Sequence, residues 1–96
     1  MDQEDKIQAQ IKELLVARNY LLHQQPSDMV AIAHITELIV DLNARQTALS
    51  SASNIPQLSA QAEADLQSAV NNLDQAIQQS AAVTQILSGA TALAQV

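Results

Sequence analysis

The sequence predicts an all-α protein: an antiparallel, up-down-up three-helix bundle whose C-terminal helix is long. Composition is the first observation behind this. Of 96 residues, 17 are Ala and 14 Gln, against one Gly, two Pro and a single aromatic, Tyr20. Ala loses no side-chain entropy in a helix and Gln loses little, whereas sheets draw on β-branched and aromatic residues and need Gly or Asn turns. Periodicity is the second: apolar residues recur at alternating three- and four-residue steps along most of the chain. The third is punctuation, because two breaks divide the chain into three stretches. A chain of 10.3 kDa leaves room for one domain, residues 1–96.

The first helix, about 3–24, aligns Ile7, Ile11, Leu14, Arg18, Leu21 and Gln25, with Leu15 and Leu22 widening the stripe. That width suits a helix facing two neighbours. The first break follows, where Pro26 drives Gln25 out of helical dihedrals and Ser27 or Asp28 can cap what comes next. The second helix, about 28–51, carries Ala31, Ile35, Leu38, Leu42, Arg45 and Leu49, flanked by Ile32 and Ile39. A second break spans Ser50 to Pro56, with Asn54 and Ser59 as rival caps for the third helix and Pro56 suited to its first turn. The third helix, about 57–88, aligns Ala62, Leu66, Ala69, Leu73, Ala76, Ser80, Val83, Leu87 and Ala90, flanked by Val70 and Ile77.

The lengths do not match. At 1.5 Å per residue the first two helices span about 33 and 36 Å, while a continuous helix to residue 95 reaches about 60 Å. Gly89 offers a stopping point, since Gly ends helices by adopting left-handed dihedrals. Residues 89–96 are then a tail or a short extra helix; a continuous overhang packed in an oligomer is the alternative. Small side chains at Ala62, Ala69, Ala76 and Ala90 predict a slim bundle without a ligand cavity. A core without aromatics buries little area per residue, which favours self-association.

Charge excludes several classes of function. Ten acids against four bases give a net charge of −6, and no Lys or Arg follows Arg45. No nucleic acid and no membrane is expected as a partner, because both interactions draw on a basic surface that is missing. The run Gln75–Val96 is uncharged, but its five Gln make bilayer insertion costly. The acidic start Met1-Asp2-Gln3-Glu4-Asp5 is the reverse of a signal peptide, so a cytoplasmic location is expected, with signal-less export as the alternative. Without Cys there is no disulfide framework and no thiol chemistry. No nucleophile elbow, phosphate-cradling Gly loop or paired-carboxylate cleft is evident, so neither catalysis nor a cofactor is expected.

Several residues stand out against this background. On the second helix, Val30, Ala33, Val40 and Ala44 form a second apolar stripe, interrupted by Glu37, on the side away from Ile35, Leu38 and Leu42. A helix apolar on two sides is central in its fold or covered by another chain; isolated surface valines are the plainer reading. Val16 and Tyr20, off the main stripe of the first helix, join the candidate partner-binding set if they share that surface. Arg18 and Arg45 occupy apolar positions of the pattern. They form a polar layer, Arg45 opposite Asp65 and Arg18 near His34, or lay their stems on the core edge and reach water. His34, Glu37 and Asp41 share one helical face at a spacing that could serve a metal, but no second helix supplies further ligands, so no metal is assigned.

Cys-free, Ala- and Gln-rich helices and the Pro26-Ser27 turn resemble type III needle subunits, and the helical outline resembles the WXG family. The sequence departs from both: it has no Trp for a WXG turn, and its two breaks give three helices in place of a hairpin. The functional expectation is a small non-enzymatic helical interaction module of the adaptor, chaperone, immunity or inhibitor type. It acts through a helical surface on a protein partner, as a homodimer. A secreted, self-assembling filament subunit is the alternative, motivated by the long third helix.

Overall fold

The computed structural model describes residues 1–96 as four helices and no strand: α1 (Gln3–Leu22), α2 (Met29–Ser50), α3 (Ala60–Gln78) and α4 (Val83–Gln95). The expected three-helix bundle with a long C-terminal helix is therefore corrected to four helices. Asp2 caps α1 through a capping box with Asp5, and Asp28 caps α2 by accepting from the Ala31 N–H at 3.0 Å. Ser59, not Asn54, caps α3. Pro56 lies outside that helix, in an extended stretch whose carbonyl accepts from the Gln3 N–H at 2.9 Å.

The stretch expected as one helix breaks at Gln79-Ser80-Ala81. Ser80 adopts φ 53°; its N–H donates to the Ile77 carbonyl at 3.1 Å and the Ala81 N–H to the Ala76 carbonyl at 2.9 Å. This pair of bonds is the Schellman motif, with Ser at the position that usually holds Gly. Gly89, expected to end the helix, sits inside α4 without a positive φ. Its role is close approach: a Cβ there would stand 3.3 Å from Leu73 Cδ1. After the break the buried stripe changes phase, from Leu66, Leu73 and Ala76 on α3 to Ile86, Ala90 and Leu93 on α4.

Hydrogen bonds fix the directions of the helices. Met1 to Gln3 run beside Pro56 to Leu58, with Leu58 N–H donating to Met1 O at 2.9 Å, so α1 and α3 start at the same end. At that end Lys6 Nζ donates to the Val96 backbone oxygen and Gln10 Nε2 to the Leu93 carbonyl, both at 2.8 Å, tying down the end of α4. The helices thus run up, down, up, down. Helix α1 packs on all three others, whereas α2 packs on α1 and α4 and does not touch α3. The result is a flattened body of 46 × 24 × 15 Å. Its core is aliphatic, with Leu14, Leu21, Ile35, Leu42, Leu73, Ile86 and Leu93 wholly buried.

Candidate functional site

The stripe on the outer side of α2 is open to solvent. Val30 is 81% exposed, Met29 66% and Val40 60%, the three most exposed large apolar side chains of the protein. Ala33, Ala44 and Glu37 are exposed as well. The core side of the same helix buries Ala31, Ile32, Ile35, Ile39 and Leu42, so α2 carries apolar residues on two sides and covers only one. Within the stripe, Val30 is displaced toward α4. It lines a groove of about 550 Å³ with His34, Leu87, Thr91 and Ala92.

The two α1 members of the predicted set do not join this surface. Glu13 faces Asp74 of α3, and Val16 and Tyr20 follow Glu13 at i+3 and i+7, on that same edge. Val16 is exposed, and Tyr20 is half-buried against the core. Leu15 and Leu22 take their place. They flank Arg18 at i−3 and i+4, and Arg18 Nε donates to Thr36 Oγ1 of α2 at 3.0 Å, so this edge of α1 faces α2. Leu15 is 40% and Leu22 41% exposed. Periodicity assigned them to the width of the core stripe; only the placement of the neighbouring helices leaves them uncovered.

The polar candidates resolve differently. Arg45 cannot meet Asp65, because α2 and α3 do not touch. Arg18 bonds Thr36 and not His34, while His34 Nε2 lies 3.2 Å from Thr91 Oγ1 of α4. No three His, Asp or Glu side chains are grouped to hold a metal, and Glu37 and Asp41 face solvent. The only ion pair joins the Met1 amine to Glu63 at 3.0 Å.

One carboxyl is perturbed. Glu13 has its pKa pushed up to about 7, first by burial and then by the charge and hydrogen bonding of Asp74, with Lys12 pulling the other way. Its Oε1 is buried without a partner, and so is Oε1 of Gln10 one turn earlier. The pair Glu13–Asp74 shares a helix–helix seam and opens onto no cleft that could admit a substrate. Sequence spacing gave no sign of it, since the two carboxyls meet only through the α1–α3 packing.

Comparisons with protein-family models, with curated proteins and with solved structures returned no match. No helix is long and apolar enough to cross a membrane.

Proposed function

We propose that the protein is a small, non-enzymatic helical interaction module of the adaptor, chaperone, immunity or inhibitor type. The outer face of α2 is its docking surface and a homodimer its working form. One observation supports this reading above the others: Met29, Val30 and Val40 stand in solvent on a helix whose opposite side is fully used by the core. Exposed apolar residues scattered singly are ordinary, but several aligned on one face of one helix, even with Glu37 among them, suit a surface that another chain covers. Small residues at Ala33 and Ala44 let a second helix approach closely along that stripe.

The test is a single substitution. Val40→Glu is expected to reduce the mass measured by light scattering from dimer to monomer, while helicity by circular dichroism is retained. An unchanged dimer would remove the assigned surface. The filament alternative rested on a long overhanging third helix. In its place α4 folds back along α3 and buries Leu93 in the core, so no particular observation favours that reading.

A further inference from the structure

At one end of the seam between α1 and α2 a hollow of about 350 Å³ opens, where the small core side chains had predicted no ligand cavity. We infer that it binds a small organic monoanion, a carboxylate carried on a short aliphatic chain. Lys6 and Arg45 hold the carboxylate, and Ile7, Ala48 and Leu49 cover the chain. No residue of the exposed α2 stripe lines the hollow, so this inference stands apart from the homodimer reading.

Register brings the two walls together. The bond from Arg18 to Thr36 fixes the level of the antiparallel pair. Lys6 and Ala48 are equally distant from that bond along their helices, about 18 Å at 1.5 Å per residue, so they stand level with one another. Gln3 and Ile7 of α1 share a face at i and i+4, and Arg45, Ala48 and Leu49 of α2 share one at i, i+3 and i+4. Ile7 is buried and Leu49, Gln3 and Lys6 are half-buried, while Arg45 and Ala48 are exposed. The walls are thus apolar in depth, with a guanidinium at the mouth. The volume is at the small end of the range for ligand sites, about 300–1,000 Å³.

Charge gives the hollow its character. The chain has four bases and a net charge of −6, yet two of the four bases line this one hollow and no acid does. Neither is neutralised within the chain, because the only ion pair joins the Met1 amine to Glu63. Lys6 Nζ donates to the Val96 backbone oxygen at 2.8 Å, which uses one of its three N–H groups. Arg45 is therefore the principal cation, and its planar fork of donors fits a carboxylate. The neighbouring acids are placed elsewhere. Asp2 and Asp5 each accept from the other's backbone N–H. Glu4, two residues before Lys6, lies on a different face of α1. Asp41, one turn before Arg45, borders a separate hollow beside Ala94 and Gln95 that Arg45 also reaches, and stands outside ion-pair distance of it. A bare anion would leave the apolar wall uncovered, and a neutral aliphatic molecule would leave the two cations without a partner. One carboxylate on a short chain satisfies both.

The test is a titration of the full chain with sodium hexanoate at fixed ionic strength, followed by the amide signals in nuclear magnetic resonance. Saturable shifts are expected at Ile7, Ala48 and Leu49. Neither hexan-1-ol, which lacks the charge, nor acetate, which lacks the chain, should reproduce them at the same concentration. Arg45→Gln is expected to weaken hexanoate binding by about tenfold or more, as for a lost hydrogen bond to a charged group, and Arg45→Lys to retain part of the affinity. Arg45 is exposed, so these variants keep the fold, which circular dichroism checks. Lys6→Gln leaves a donor for Val96 and is expected to weaken binding as well; if it loosens α4, the Arg45 variants decide alone. The proposal is overturned if hexanoate gives no saturable shift, if the shifts centre on Val30 and Val40, or if Arg45→Gln binds as tightly as the wild type. Equal binding of hexan-1-ol would reduce the hollow to a greasy contact, and equal binding of inorganic phosphate to a bare anion site; either result overturns it too.

Discussion

Ser80 and Glu13 show how single residues carry conditions that their neighbours impose. Ser80 holds φ 53°, a conformation that costs an L-residue about 1–2 kcal/mol and Gly almost nothing. Ser80→Gly is therefore expected to stabilise the fold by about 1 kcal/mol, read as a rise in Tm of about 4–8 °C for a domain this size. Glu13 holds its proton up to about pH 7 in the folded state, against an ordinary value of 4.5. Between those values the native protein binds a proton that the unfolded chain releases. The stability this contributes is complete below pH 4.5 and is lost as the pH rises through 7. Glu13→Gln keeps the neutral shape at every pH. It should raise Tm above pH 7, by the equivalent of about 1 kcal/mol because solvent screens a half-buried site, and leave Tm at pH 4 nearly unchanged. An equal gain at both pH values would trace the effect to packing instead of titration.

Helix α4 is the element whose existence depends most on its surroundings. It has 13 residues, no side-chain cap at its N-terminus, where Ala82 stands, and no charged residue in its terminal turns. An isolated helix of that length is marginal in water. Packing of Ile86, Ala90 and Leu93 holds it, together with Gln10 and Lys6 of α1, which bond the carbonyls that its last turn leaves unsatisfied. Ala82→Asp supplies the missing cap and is expected to add about 1 kcal/mol, measured by chemical denaturation. Leu93→Ala empties the site against α1 and should cost about 2–5 kcal/mol. Truncation after Gly89 removes Ala90, Leu93 and Ala94 from the core, so loss of assembly in such a variant would report unfolding and not a missing filament contact.

At the scale of the whole molecule, the flattened shape is what exposes the candidate surface. Helices α1 and α4 each touch all three others, while α2 and α3 remain apart on either side of them. Helix α2 consequently has only two neighbours, α1 and α4, and its outer stripe is left to solvent. Light scattering over a wide concentration range is expected to show a dimer that Val40→Glu dissociates. If the wild-type chain is instead a monomer at every concentration, the stripe is free for a different protein.

The sequence by itself determined the all-helical class, the two breaks with their short lists of candidate caps (Ser27 or Asp28, Asn54 or Ser59), the hairpin of α1 with α2, and the second apolar stripe of α2. All of these are local: they follow from composition, from capping chemistry within three residues, and from a period read along one helix. Tertiary structure decided the rest. The turn at Ser80 lacks Gly and Pro, and the three- and four-residue spacing continues through it with only Ser80 polar, so no strong local signal marks a helix end there. It exists because folding α4 back buries Ile86, Ala90 and Leu93, which outweighs one strained residue. The same packing converts Gly89 from an expected helix stop into the point where α4 presses on Leu73. It separates Tyr20 and Val16 from the α2 stripe, brings Leu15 and Leu22 beside it, and sets Glu13 against Asp74. Each of these depends on which helix lies next to which, and periodicity along a single helix carries no information about its neighbours.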